Sequence, residues 1–186
     1  MKTLLPIILA FHGCCITVWG QTRQPSTINK TPQPYELAAQ LCERGMEKLF
    51  EGNEVGALAA FNEALKKDST FSRAYHLRGE LRLKQGALEE ALHDLNRAIS
   101  FAGDYPDYFY ARANIQTQRK AYTEAISDYT KVLTLRPNYP EAILDRAIAK
   151  LEYGDVASGC ADIALAEQLG LKDRVLKEKY CAMQKN

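Results

Sequence analysis

One pattern, written four times at a fixed 34-residue spacing, constrains what this chain can fold into more than anything else in it. Aligned at Ala38, Ser72, Pro106 and Pro140, the copies carry Gly45, Gly79, Ala113 and Ala147 at their eighth place. Their twenty-seventh place holds Ala64, Ala98, Val132 and Ala166. The fourth place reads Leu41, Tyr75, Phe109 and Ile143, and the twenty-fourth reads Phe61, Leu95, Tyr129 and Ile163. Small residues recur where two helices must approach closely, and bulky apolar ones recur where they fill the gap. The pattern covers 136 of the 186 residues and predicts an all-α architecture of helix pairs.

Each unit divides into a first helix over about fourteen places and a second over most of the remainder. Gly52, Gly86 and Gly154 occupy the fifteenth place, where the chain must turn between antiparallel helices. Lys120 stands there in the third unit, so that turn is expected to use another geometry. Pro106 and Pro140 open helices, where a missing N–H is harmless, and Pro137 closes one. Arg44, Arg78, Arg112 and Arg146 recur at the seventh place, matched in three units by Asp94, Asp128 and Asp162 at the twenty-third. Ala60 takes that place in the first unit. In antiparallel helices of these lengths the two places are neighbours, which predicts the ion pairs Arg78–Asp94, Arg112–Asp128 and Arg146–Asp162. Their repetition argues for packing, because a binding site is usually made once.

The motifs LxxRG, YxxRG, FxxRA and IxxRA, followed by AxxxF, AxxxL, AxxxY and GxxxI, resemble the tetratricopeptide repeat. The resemblance implies a right-handed α-solenoid of four helix-turn-helix repeats, at residues 38–71, 72–105, 106–139 and 140–173. It also implies that the first helix of each pair lines a concave groove, with its second, fifth and ninth places facing a bound segment. Here those places hold Ala39, Cys42 and Met46; Arg73, His76 and Glu80; Asp107, Tyr110 and Asn114; Glu141, Leu144 and Ile148. Members that grip a chaperone's acidic tail carry a Lys and Asn clamp at the fifth and ninth places of an early repeat. Cys42 with Met46, and His76 with Glu80, do not supply it. Tyr110 and Arg73 are the expected contact anchors, since such side chains dominate interface energetics.

Ahead of the repeats, residues 4–11 form an apolar run behind Lys2, interrupted by Pro6 and followed by His12 and Gly13. That is too short and broken for a bilayer span of ~20 apolar residues. It fits a secretory signal over 1–20, with Val18 and Gly20 placed for a cut before Gln21. An uncleaved membrane anchor is the alternative; lipidation at Cys14 is disfavoured by Phe11-His12-Gly13. Residues 21–34, with Pro25, Pro32 and Pro34, read as a flexible linker to a solenoid over 35–186. Residues 174–186 read as a helix that caps the apolar end of the array. Export to a periplasm or beyond is expected. A bacterial periplasm is what the resemblance implies, through the repeat style and the closing GCADIALAEQLG.

Removing residues 1–20 takes away Lys2 and leaves 23 basic against 23 acidic side chains, so no field gathers phosphates and no nucleic-acid partner is expected. His76 and His93 lie on different helices without metal-ligand neighbours, and no nucleophile elbow, zincin or phosphate-loop motif occurs. The expectation is therefore no catalytic residue, no metal and no cofactor. Any membrane contact would run through the signal segment or a partner. What remains is a protein-interaction module that captures an extended partner segment along the groove. The second reading is a structural adaptor docking through its convex or edge surface into a larger envelope assembly. After export, Cys42, Cys160 and Cys181 are left, and the frame brings Cys160 and Cys181 to the seam with the capping helix, either as a disulfide that leaves Cys42 free or as two small buried thiols.

Overall fold

The fold follows from how each 34-residue unit closes on itself. The computed structural model describes residues 31–182. Four helix pairs run in order: α1 Pro34–Phe50 with α2 Glu54–Lys67, and α3 Ser72–Lys84 with α4 Leu88–Phe101. After them come α5 Pro106–Gln118 with α6 Tyr122–Leu135, and α7 Pro140–Tyr153 with α8 Val156–Gln168. Each pair packs internally, and the second helix of one packs against the first helix of the next, giving an all-α repeat solenoid. Among the described residues no helix is long and apolar enough to cross a membrane. The signal segment and most of the linker lie outside the described residues.

Helix starts are set locally. Pro34, Pro106 and Pro140 take first-turn positions. Asn53 Oδ1 accepts from the Gly56 N–H at 2.8 Å, and Asp155 Oδ1 from that of Ser158 at 3.2 Å, so orphan donors are satisfied. The first helices end alike. In each, the fifteenth-place N–H reaches back three residues and the next N–H five, as in Gly52 to Leu49 and Asn53 to Lys48. Lys120 was expected to break this geometry and does not. It adopts φ 59°, alongside 76°, 77° and 98° at Gly52, Gly86 and Gly154. The turn's two hydrogen bonds and the packing around it hold a lysine where glycine is favoured.

The eighth and twenty-fourth places meet across each pair. A methyl group added to Gly45 would stand 2.4 Å from the Phe61 ring, so only glycine fits beneath that ring. Phe61, Leu95, Tyr129 and Ile163 are all buried, as are the small residues at the twenty-seventh place. The predicted ion pairs form as bidentate forks: Arg78 to Asp94 at 2.8 and 2.7 Å, Arg112 to Asp128 at 2.7 and 2.8 Å, and Arg146 to Asp162 at 2.8 and 2.8 Å. Each guanidinium also donates its remaining nitrogen to the preceding repeat, at Asn62, Asn96 and Thr130. The arginine thus ties its own pair together and staples that pair to its neighbour.

After α8 the chain makes a short helix, α9 Arg174–Leu176, then one π-helical turn, Lys177–Cys181. The expected capping helix is therefore wider and less regular than a plain α-helix within the described residues. Leu176, Tyr180 and Cys181 cover the cluster of Ala147, Leu151 and Ile163. Cys160 and Cys181 are half-buried there and joined as a disulfide, with Cα atoms 5.7 Å apart.

Candidate functional site

The first helices α1, α3, α5 and α7 are linked to one another side by side. Arg73 Nη1 on α3 donates to Glu43 Oε1 on α1 at 2.7 Å, and the Arg73 guanidinium also reaches the Met46 sulfur. The Ser72 and Tyr108 hydroxyls meet at 3.3 Å between α3 and α5. The Tyr110 hydroxyl on α5 donates to Asp145 Oδ2 on α7 at 2.5 Å. A cavity of about 300 Å³ opens on this face, walled by residues of α3, α5, α6 and α7.

The side chains described at the second and ninth places are exposed or half-buried. Arg73, Glu80, Asp107 and Glu141 are exposed, and Met46, Asn114 and Ile148 half-buried. Several are already engaged: Asp107 accepts from Arg136 on α6 at 2.7 Å, and Asn114 Oδ1 from the Tyr129 hydroxyl at 2.6 Å. The fifth place departs from the expectation that it lines the groove. Cys42 is fully buried among Ala74 and Leu81 of the next repeat. His76 tilts against the Tyr108 ring at 4.7 Å, with Glu80 3.4 Å from its Nε2. Tyr110 packs against Tyr139 and Tyr129, and Leu144 joins the cluster covered by Leu176 and Tyr180. In every repeat this place fills the seam toward the next first helix. Neighbouring first helices approach too closely to leave it open. Tyr110 is consequently a positioning residue for Asp145, not a free contact anchor.

Burial governs the electrostatics of Asp145. Burial pushes its carboxyl above the usual range; the Tyr110 hydrogen bond opposes this and Glu141 adds to it. Burial likewise holds the Tyr110 and Tyr129 hydroxyls well above the ordinary phenol range. Desolvation raises the Cys42 thiol to about 11, which keeps it protonated and unreactive near neutrality. Among the described residues no group of His, Cys, Asp and Glu is arranged to hold a metal ion.

Sequence reading missed Asp145, at the sixth place, and Leu83 on the cavity wall. The first is Glu43, Leu77 and Ala111 in the other repeats, so no recurrence marked it.

The tetratricopeptide-repeat model matches residues 72–105 and 106–139, in the same register as the second and third units. No curated protein matches the sequence significantly. Among solved structures the chain is similar to MamA at 20% identity, over 77% of this chain and 81% of that one, with a TM-score of 0.67. YrrB, described as a tetratricopeptide-repeat protein with an unusual peptide-binding site, matches at 18% identity over 72% of this chain and 69% of its own, with a TM-score of 0.67. The first repeat domain of Spaghetti (RPAP3), bound to the HSP90 peptide SRMEEVD, matches at 20% identity over 67% and 98%, with a TM-score of 0.63. At these identities the likeness is one of fold. Two units in register with the family model, within a helical-repeat fold shared with all three structures, support a tetratricopeptide-repeat protein.

Proposed function

We propose that this chain is an exported, non-enzymatic interaction module that binds an extended segment of a partner protein across its first helices. Proteins of this repeat family are generally non-enzymatic interaction modules, and two of the similar structures are described by their peptide binding. The observation that carries the reading is the cavity shared by α3, α5 and α7. It spans three repeats and draws an apolar side chain from Leu83, an amide from Asn114 and a carboxylate from Asp145. The Asn114 side-chain N–H groups make no hydrogen bond among the described residues and are available to a bound backbone. The Cys160–Cys181 bond supports the export part, since disulfides persist in oxidising compartments.

One observation favours the adaptor reading: at the first edge of the array Phe50 is 96% exposed, with Val55 80% exposed nearby in sequence. A photo-crosslinking residue placed in turn at Ile148, Ala161 or Phe50, in the full chain within its native envelope fraction, separates the two. Crosslinks from Ile148 alone support segment capture. Crosslinks from Ala161 or Phe50 positions, with none from Ile148, support docking by the outer or edge surface.

A further inference from the structure

We propose that the cavity between α3, α5 and α7 receives a lysine or arginine side chain of the bound segment, with Asp145 as its counter-charge. This rests on the segment-capture reading above and narrows it to partners of one chemistry.

The inference comes from where each cation of the neighbourhood is spent. Arg146 and Lys150, the cations on α7 itself, both bond Asp162, each at 2.8 Å. Arg112 on α5 is held by Asp128 and Asn96, and Arg136 on α6 by Asp107. No cation among the described residues lies within ion-pair distance of Asp145. The first repeat shows what normally balances a carboxylate at this place. Glu43 is met by Arg73, which stands at the second place of the following repeat. Beyond the fourth repeat the corresponding residue is Val175, which brings no charge. Asp145 therefore keeps one hydrogen bond, from Tyr110, and faces the cavity with its charge unbalanced.

The walls suit the same ligand. Leu83 and Ile148 give the lining apolar surface, while Asn114, Thr117 and Gln118 add polar groups beside Asp145. A lysine or arginine lays its methylene stem along apolar surface and carries its charge at the tip. A space of about 300 Å³ is at the small end of ligand sites and matches one long side chain better than a drug-sized molecule. An acidic side chain would meet Asp145 with like charge, and Glu141 one turn earlier on α7 would add to the repulsion. The preference is the opposite of that expected for the net acidic peptide SRMEEVD bound in the Spaghetti structure.

The test is a selection of a random displayed dodecapeptide library on the full chain, followed by synthesis of the consensus peptide in two forms. One form carries lysine or arginine at the enriched position, and the other carries norleucine, which keeps the stem and removes the charge. We expect a basic residue to be enriched. Norleucine should weaken binding to the natural chain at least about tenfold, whereas the two forms should differ less than twofold on Asp145→Asn, whose thermal unfolding confirms that it folds. An acidic or uncharged consensus, or an equal norleucine loss on both chains, overturns the basic-pocket inference while leaving segment capture standing. No enriched peptide, or peptides whose binding ignores both Leu83→Arg and Ile148→Arg, overturns segment capture and the inference with it.

Discussion

The arginine–aspartate seam and the first-helix face are built on the same helices and obey opposite rules. Along the seam, three repeats give the same fork within 0.1 Å, each with the same third contact to the unit before. Across the face, the second place reads Ala39, Arg73, Asp107 and Glu141, passing from apolar through basic to acidic along the array. The seam recurs because every pair must be held at one angle and stacked at one distance. The face varies because nothing in the stacking depends on it. Two carboxylates make the contrast concrete. Asp94 is fully buried and bound by Arg78 and Arg82, the latter at 2.7 Å. Asp145 lies one turn from a comparable cation supply and receives none of it.

The sharpest way to break this contrast is to remove a seam carboxylate. Asp94→Ala should cost about 3 kcal/mol in urea unfolding, because Arg78 and Arg82 are left without their partner in a desolvated seam. A loss below about 1 kcal/mol would reduce the seam to ordinary surface pairing. Reducing the Cys160–Cys181 bond should cost roughly 3 kcal/mol or less on the chain-entropy model and expose the last pair to early amide exchange. The first pair should be unaffected, since stability in such arrays is summed from neighbouring contacts. Uniform loss along the chain would contradict that division.

Gly45→Ala should destabilise by about 2 kcal/mol, more than Gly79→Ala. The new methyl meets the Phe61 ring at 2.4 Å in the first case and Leu95 at 3.2 Å in the second. Calorimetric melting of the two variants checks the order. Lys120→Gly should stabilise by roughly 0.5–1 kcal/mol, since it relieves a left-handed backbone but adds freedom to the unfolded chain. Destabilisation would mean that the lysine side chain contributes a contact that outweighs its backbone.

The smallest effect belongs to the face. Asp145→Asn should change stability at neutral pH by less than about 1 kcal/mol, toward greater stability if at all, because asparagine can still accept from Tyr110. The sign follows from burial. The folded carboxyl titrates above its unfolded value, so its favourable contribution is full below the unfolded pKa and is lost as pH rises through the folded one. The natural chain should thus gain on the variant as pH falls through that window, as unfolding at stepped pH will show. A destabilisation matching that of Asp94→Ala would make Asp145 a structural group and erase the comparison.

The sequence by itself determined the helix pairs, the three glycine turns and the three arginine–aspartate forks. Those features depend on partners within one 34-residue unit, joined through a tight turn, where helix geometry alone brings the seventh and twenty-third places together. Tertiary structure decided what depends on the distance between units. It closed the fifth place, burying Cys42 and turning Tyr110 onto Tyr139, because adjacent first helices pack side chain to side chain. It gave each arginine a third partner at Asn62, Asn96 or Thr130, across a seam whose width no periodicity states. It held Lys120 in the turn that glycine makes elsewhere, because two hydrogen bonds and the flanking helices outweigh one residue's backbone preference. And it left Asp145 without a cation, since charge balance is settled by which side chains reach each other in space, and Arg146 and Lys150 reach Asp162 instead.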